Sequence, residues 1–303
     1  MPDFIRRAAV FTAAMAASLL AVVAPPAQAD TLSPAAQADT LYPIGGGTGI
    51  FQQFVQTPTE AKIKSCTLTA VGYDNAGNLV GLTNAHCFVD DAGNKVHGDK
   101  VYLDRSPHGS FFAPAPLPSS LEFLEVGVIG EVTYISEGNG YYTGGVAGPD
   151  YAVIKFDPAK VTPTNTVNSP SGSVTITSLG ARPAVGTRLC KMGHRTGKTC
   201  GNVVGHGPAS IGRFTSVIAT NAGDSGGPVV DGTTLVGNLW GFPGHTSIEF
   251  IISDMNTRGG VGAGFHLAVG GDVLQDGGEP VGILAGLGRV RPDRVGGRGL
   301  QGA

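Results

Sequence analysis

Charged side chains are scarce in this sequence. Asp, Glu, Lys and Arg together make up 14% of its 303 residues, and the formal net charge is −3. A protein that binds nucleic acid or an anionic membrane normally presents a concentrated basic face. This composition offers no such face, so nucleic-acid binding is excluded as the main function, and a membrane surface is not an expected partner. The length is sufficient for a large core, as in one enzyme unit of two subdomains.

Helical periodicity is also lacking after about residue 45. Short apolar segments alternate instead with Gly, Pro, Asn and Asp, which is typical of an all-β protein. Residues 67–73 and 78–83 flank a turn at 74–77 and predict a hairpin, and residues 248–252 are interpreted as a further strand. About a dozen such strands predict two packed β units. The stretch 158–170, rich in Pro, Thr and Asn, is the predicted linker between them.

A long hydrophobic run occurs at the beginning of the chain. Residues 8–23 are apolar, follow Arg6 and Arg7, and precede the small-residue sequence Ala27-Gln28-Ala29. This order predicts a signal peptide at residues 1–29, cleaved after Ala29, and therefore a secreted protein. The alternative is an uncleaved anchor, since about 16 apolar residues is near the short limit of membrane-spanning length.

The remaining chain divides into four predicted segments. Residues 30–44 are a leader or short pro-segment, residues 45–160 the N-terminal β unit and residues 161–276 the C-terminal β unit. Residues 277–303 are rich in Gly and Arg and predict a flexible tail.

The chain has four cysteines, an even number that predicts two disulfides in an exported protein. Three pairings are possible. Joining Cys66 to Cys87 and Cys190 to Cys200 closes two short loops and is the simplest. In a competing interpretation, a metal cluster is formed by Cys190, His194, Cys200 and His206. The usual short ligand spacing is missing, so no metal and no cofactor are expected.

The hexapeptide GDSGGP at residues 223–228 is the most informative motif in the chain. A serine hydroxyl is a weak nucleophile and needs a general base, together with donors that hold the oxyanion formed by its attack. Glycines on both sides of Ser225 allow a tight turn in which the amides of Gly223 and Ser225 point at one spot. The alternative is that this motif forms an ordinary surface turn without a catalytic role.

His86 and Asp150 complete a candidate catalytic set. His86 lies at the end of a hairpin strand, beside Cys87, and an imidazole titrates close enough to neutral pH to take and return the serine proton. Asp150 precedes an apolar strand, where it can be buried against an imidazole and fix its tautomer. Asp104 and Asp157 are weaker candidates for this carboxylate.

In the order His86, Asp150, Ser225, these segments resemble the chymotrypsin-like serine peptidases. Residues 185–201 are similar to the second-barrel disulfide loop of the secreted bacterial members. The resemblance implies two packed six-stranded antiparallel Greek-key β-barrels with the active site in the cleft between them. It also implies the adjacent cysteine pairing and hydrolysis of peptide bonds through an acyl-enzyme.

The resemblance suggests further roles. A basic residue near the first cysteine of the second-barrel loop pairs, in some bacterial relatives, with the aspartate before the nucleophile, which here gives Lys191 and Asp224. The strand 235–241 is similar to the one that binds substrate backbone, with Trp240 and Gly241 at the pocket wall; Trp240 as a core residue is the alternative. The position of the pocket base falls on Ala219, which predicts a preference for small or medium apolar side chains.

Two other functions are also consistent with these motifs. GDSGG also satisfies the nucleophile-elbow pattern of α/β-hydrolase esterases, with His245 and His266 available as bases, although Gly226-Gly227-Pro228 is a poor helix start. An inactive, secreted binding protein on a peptidase scaffold is the second. The expected partner is a peptide or protein substrate, and the expected state is a monomer.

Overall fold

The computed structural model describes residues 41–56, 61–90, 94–96, 98, 100–115, 126–137 and 148–268. The predicted signal peptide, most of the predicted leader and the Gly/Arg tail lie outside these residues. Within the described residues, no helix has the length and apolarity needed to cross a bilayer.

Nineteen strands and one α-helix occur in the described residues. The N-terminal strands are β1 (Tyr42–Ile44), β2 (Gly49–Gln56), β3 (Ala61–Thr67), β4 (Ala70–Tyr73), β5 (Leu79–Thr83), β6 (Lys100–Leu103), β7 (Val128–Ile135) and β8 (Ala152–Phe156). Four short strands follow: β9 (Val161–Pro163), β10 (Thr166–Ser169), β11 (Gly172–Thr175) and β12 (Ser178–Leu179). The C-terminal elements are β13 (Arg188–Gly193), β14 (Gly197–His206), β15 (Arg213–Ser216), β16 (Pro228–Asp231), β17 (Thr234–Gly241), β18 (Gly244–Ser247), α1 (Ile248–Arg258) and β19 (His266–Leu267).

The N-terminal strands form a barrel that closes through a bent strand. The sheet runs β19-β4-β5-β8-β7-β6-β2-β3, and only Leu68 and Thr69 separate β3 from β4. Leu68 N–H donates to the carbonyl of Thr48, the residue before β2, at 2.8 Å. Thr69 N–H donates instead to Leu82 O of β5 at 2.7 Å. Because one continuous strand thus pairs with β2 and then with β5, six strands enclose the core.

The C-terminal strands form a second closed barrel. Their order is β17-β16-β13-β14-β15-β18, and antiparallel pairing of β17 with β18 completes the ring. Buried apolar side chains fill it, including Leu189, Phe214 and Leu239. The predicted all-β fold of two six-stranded barrels is therefore confirmed.

A separate apolar layer joins the two barrels. Val80 and Leu82 of β5 pack there with Met192 of β13 and Leu235 of β17, all almost completely buried. Burial of such side chains is the main favourable term in folding, about 25 cal/mol per Å² of apolar surface. This layer holds the edges of the barrels, where the site residues lie, in a fixed relation.

The hairpin prediction is confirmed and one strand prediction is wrong. β4 and β5 pair in antiparallel fashion around the predicted turn. Residues 248–252, in contrast, begin the helix α1. The side chain of Ser247 caps the helix by accepting from Phe250 N–H at 3.4 Å, and Ile248, Ile251 and Met255 are buried on one face. Their three- and four-residue spacing is helical, so the interpretation of this segment as a strand missed the cap and the period.

Short strands at the two ends of the described chain pair with strands of the opposite half. Tyr42–Ile44, assigned to the leader from the sequence, pairs in parallel with Val161–Pro163, which was assigned to the linker. β19, from the C-terminal half, pairs with β4 of the N-terminal sheet. These pairings tie each end of the described chain to the opposite half.

Candidate active site

Strand pairing brings His86 and Asp150 together. β5 and β8 are antiparallel neighbours with Thr83 opposite Ala152, so the end of β5 lies beside the start of β8. His86 occupies the 3₁₀ turn Ala85–Phe88 that follows β5, and Asp150 immediately precedes β8. Asp150 Oδ2 lies 2.6 Å from His86 Nδ1, and Oδ1 accepts from His86 N–H at 3.0 Å. This double contact fixes the ring and leaves Nε2 as the nitrogen that can act as a base.

Residues from both barrels hold Asp150 in place. The carboxylate residue is fully buried, and its backbone carbonyl accepts from Asn84 Nδ2 at 2.9 Å and from Asn238 Nδ2 at 3.0 Å. Its N–H donates to Thr246 Oγ1 at 3.4 Å. Sequence reasoning missed this support. Asn84 stands two residues before His86 and so offered a signal, whereas nothing in the sequence marks Asn238 or Thr246.

The Ser225 loop packs directly on the N-terminal barrel. Thr67 N–H donates to Ser225 O at 2.7 Å, and a Cβ added at Gly226 would lie 2.1 Å from Thr67 O and 2.2 Å from Thr83 Oγ1. Gly226 also has a φ of +86°, a region that other residues rarely adopt. The second glycine of GDSGG is therefore required for the serine loop to reach the strand that leads into His86.

The disulfide Cys66–Cys87 links the same elements covalently. Cys66 precedes Thr67, which binds the serine loop, and Cys87 follows His86. The structure thus gathers the segments that carry His86, Asp150 and Ser225 at one junction of the barrels. The Ser225 hydroxyl itself donates to Trp240 O at 3.2 Å.

Two backbone N–H groups of the serine loop have no acceptor among the described residues. Those of Asp224, Gly226 and Gly227 donate to the carbonyls of Asn221, Leu239 and Asp224, respectively. Across the described part of the chain, no acceptor pairs with the N–H groups of Gly223 and Ser225. Gly223 has a φ of +94°. Alternating bonded and free amides are the arrangement that an oxyanion-binding turn needs.

Lys191 and Asp224 form a fully buried ion pair beneath this loop. Lys191 Nζ lies 2.9 Å from Asp224 Oδ2 and also donates to Gly197 O at 2.9 Å. Thr196 donates to Asp224 through both its N–H, at 2.9 Å, and its hydroxyl. Burial lowers the pKa of Lys191, although Asp224 opposes that shift. With its charge and hydrogen bonds satisfied, Asp224 fixes the backbone next to Ser225.

Removing the Lys191 charge is expected to damage both stability and activity. Lys191→Met leaves Asp224 as an unpaired buried charge, which costs about 3–5 kcal/mol of unfolding free energy, and frees the loop that carries Ser225. Denaturant unfolding and peptide hydrolysis measure the two effects. Lys198→Met, on the same hairpin but bonded at the surface to Ser173 O, is the control. Unchanged activity in Lys191→Met would show that the pair is unnecessary.

A second Ser, His and Asp group lies deeper in the protein. His194 Nε2 is 3.0 Å from Asp104 Oδ2 and 3.0 Å from Ser106 Oγ, and the side chains of His194 and Asp104 are each 1% exposed. His194 N–H donates to Thr67 Oγ1, which donates to Gly223 O at 2.8 Å. This group directs the Ser106 proton to Asp104 Oδ1, at 2.6 Å, and not to the imidazole. It connects the barrels under the serine loop, and it gives Asp104 a partner other than His86.

The metal-cluster interpretation is wrong for this group of residues. Cys190 and Cys200 are joined in a disulfide, so neither sulfur is available as a thiolate ligand. His194 is bonded to Asp104, as described above, and His206 Nε2 lies 2.8 Å from Pro183 O.

Buried histidines predict a loss of stability in mild acid. Burial, with a contribution from His194, lowers the pKa of His108 to about 4, and burial lowers that of His245 to about 3. Both values lie below the 6.5 of a free imidazole, so unfolding takes up protons and the unfolding free energy rises with pH over this window. We expect it to fall steadily from pH 6.5 to pH 4 in urea titrations. A flat profile, or one unaltered in His108→Asn, would contradict this origin.

The predicted substrate-binding residues occupy different environments. The indole of Trp240 is 4% exposed, donates to Thr246 Oγ1 at 2.5 Å and lies 5.2 Å from the Arg213 guanidinium. This is the core environment of the alternative interpretation, while the Trp240 carbonyl faces Ser225. Gly241 ends β17 at the turn into β18. Ala219 is half-buried, and its carbonyl accepts from Thr199 Oγ1 at 2.6 Å.

The α/β-hydrolase alternative is wrong. A nucleophile elbow requires a helix directly after the serine, and here β16 begins three residues after Ser225. Neither proposed base is placed for that role: His245 is buried and bonded to Ser216 Oγ at 2.6 Å, and His266 is exposed on β19.

Comparisons with known proteins give matches to solved structures only. No protein-family model matches the sequence, and no curated protein is significantly similar to it. The structure is similar to protease A of Thermobifida fusca (19% identity, TM-score 0.46), a Nocardiopsis protease (17%, 0.47) and a Cellulomonas bogoriensis chymotrypsin (18%, 0.43). Each comparison covers 71% of this chain, and 96%, 97% and 97% of those chains, respectively. Because all identities are below 20%, the function proposed below is derived from the protein's own side chains.

Proposed function

We propose that the protein is a secreted serine endopeptidase that hydrolyses peptide bonds through an acyl-enzyme. The observation that carries this proposal is the buried Asp150 hydrogen-bonded to His86, at the junction where the Ser225 loop presents two free N–H groups. A buried carboxylate, an oriented imidazole, a serine hydroxyl and paired amide donors are the four components that acyl transfer requires.

In the proposed mechanism, His86 Nε2 accepts the proton of Ser225 as its oxygen attacks the substrate carbonyl. The hydroxyl first exchanges its Trp240 O acceptor for His86, a change of the sort expected because catalytic hydrogen bonds often form fully only with substrate bound. Asp150 stabilises the imidazolium, which then donates its proton to the departing amine. Water, deprotonated in turn by His86, attacks the ester, and His86 returns this proton to Ser225 Oγ as the ester C–O bond breaks and the acid leaves.

The free amides account for stabilisation of the transition state. Negative charge develops on the carbonyl oxygen during attack, and the N–H groups of Gly223 and Ser225 are proposed to hold it. Removal of one such donor in an enzyme costs about 10²- to 10³-fold in kcat. Lys191 and Asp224 contribute by fixing the loop and do not touch substrate.

The substrate is proposed to bind as an extended strand along the end of β17. Gly241 and the Trp240 backbone supply the edge, and the pocket next to Ala219 favours small or medium apolar side chains. Two disulfides are compatible with an oxidising, extracellular setting, in line with the signal peptide expected at residues 1–29.

The proposal is tested by incubating the purified protein with a defined peptide library and with short-chain nitrophenyl esters, followed by mass spectrometry of the products. We expect cleavage at internal peptide bonds and exchange of ¹⁸O from water into the new carboxylate. Ester hydrolysis without any peptide cleavage would contradict an endopeptidase. Absence of both activities would indicate the inactive binding scaffold.

A further inference from the structure

Arg195 lies against the turn that carries Gly223, and two of its side-chain nitrogens have no acceptor among the described residues. It follows His194 in the connection between β13 and β14, and it is half-buried. A Cβ added at Gly223 would lie 2.2 Å from Arg195 Cγ and 2.9 Å from Cδ. The arginine side chain therefore passes directly over the residue whose N–H is proposed to bind the oxyanion.

Three polar atoms at this place have no hydrogen-bond partner among the described residues. Nε and Nη1 of Arg195 are buried, and no acceptor within the described residues pairs with them. Ser65 Oγ lies 3.5 Å from the same added Cβ and is also buried without a partner among these residues. A buried donor left unpaired costs about 1–3 kcal/mol, and more when charged. Donors that lack an acceptor suit a carboxylate, which can accept from a guanidinium and from a hydroxyl.

Hydrogen bonds hold the backbone on both sides of Arg195, so the Cα atom that carries the side chain is fixed in position. His194 N–H donates to Thr67 Oγ1 at 3.0 Å, and Thr196 N–H donates to Asp224 Oδ1 at 2.9 Å. Arg195 O accepts from Ala115 N–H at 2.9 Å. A fixed backbone reduces the entropy that the loop would lose when Arg195 binds an anion.

The position of Ser65 shows which part of a substrate would meet this cation. Ser65 precedes Cys66, whose disulfide partner Cys87 follows His86. His86 protonates the leaving amine, so the leaving group must lie on the His86 side of Ser225. The acyl part lies on the opposite side, along Trp240 and Gly241. Because Ser65 is joined to the His86 segment through this disulfide, we infer that Arg195 and Ser65 lie on the side of the residues after the cleaved bond.

We propose that Arg195, assisted by Ser65, binds a carboxylate in the leaving-group part of the substrate, and that the enzyme prefers Asp or Glu within the first two residues after the cleaved bond. This inference rests on the proposed function. It concerns recognition on the side of the leaving amine, and it makes Arg195 a specificity-determining residue.

The test measures kcat/KM for matched peptides that carry Glu, Gln or Lys at the first or second leaving-group position, with amidated ends. We expect wild type to favour Glu over Gln about 10-fold at one position, as one charge-assisted hydrogen bond provides. Arg195→Gln should bring this ratio near one. Arg195→Glu should favour Lys instead, a gain that misfolding cannot produce. Arg188→Gln, an exposed arginine at the start of β13, should keep the wild-type ratio.

Each outcome supports or overturns the inference. Equal rates for Glu and Gln in wild type, or an unchanged ratio in Arg195→Gln, would overturn it while leaving the endopeptidase intact. A preference seen only when the second leaving-group residue has a free C-terminus would assign the carboxylate to the chain end and overturn the preference for acidic side chains. No hydrolysis of any peptide would contradict the proposed function and this inference with it.

Discussion

Ser225→Ala is expected to abolish peptide hydrolysis while leaving the fold intact. Loss of the nucleophile in a serine protease lowers kcat by about 10⁵- to 10⁶-fold. The side chain is half-buried, and the one hydrogen bond that it makes to the described residues runs to Trp240 O, so its removal should change the unfolding free energy little. Initial rates on the best library peptide, together with thermal unfolding of both proteins, measure the two quantities.

The matched control is Ser106→Ala, because Ser106 belongs to the second Ser, His and Asp group. Its hydroxyl bonds to Asp104 and His194, so the variant removes a hydroxyl from the same combination of residue types. We expect this variant to remain active, with any cost appearing as lower stability. A large loss of kcat in Ser106→Ala combined with retained activity in Ser225→Ala would assign catalysis to the second group and refute the proposed mechanism.

Asp150→Asn should produce the second largest effect, a fall in kcat of about 10⁴-fold. The asparagine keeps the size of the side chain, but its amide no longer stabilises the imidazolium and can bond to His86 in the wrong tautomer. Because Asn84, Asn238 and Thr246 hold the backbone of residue 150, the position of the side chain should persist. Steady-state kinetics should show the loss mainly in kcat.

Asp104→Asn separates a catalytic carboxylate from a structural one. Burial raises the pKa of the Asp104 carboxyl. The interaction with His194 and the hydrogen bonds from Ser106 together outweigh burial, so that the pKa is lowered. The pair should therefore stabilise the folded protein above about pH 4. We expect Asp104→Asn to lower the unfolding free energy and to retain most of the turnover. If Asp104→Asn lost more kcat than Asp150→Asn, the assignment of the carboxylate would be wrong.

Local sequence patterns were sufficient for much of the architecture. Short apolar segments separated by Gly, Pro and Asn predicted the all-β fold. The hairpin of β4 and β5 follows from a turn in which Asp74 Oδ1 accepts from Ala76 and Asn78 N–H. The helix α1 was missed because its first five residues include four apolar ones, a short run that also fits a buried strand. Its existence depends on the Ser247 cap and on burial of Ile248, Ile251 and Met255 against the barrels, which is a tertiary effect.

The candidate site was less predictable where it depends on distant contacts. His86, Asp150 and Ser225 stand in informative local motifs and could be chosen from them. Asn238 and Thr246 reach Asp150 only because β17 and β18 close the second barrel beside it. Arg195 lies within a turn of ordinary composition, and its relation to Gly223 depends on how two barrels meet. No one-dimensional pattern carries that information.

The central claim is that His86 activates the Ser225 hydroxyl, and reaction with a fluorophosphonate probe tests it most directly. Attack by Ser225 Oγ on phosphorus forms an O–P bond and expels fluoride, while the hydroxyl proton passes to His86. Intact-mass and peptide mass spectrometry should find one adduct per molecule, on the peptide containing Ser225, and none in His86→Ala. An unmodified protein, or an adduct located on any other residue, would contradict the account.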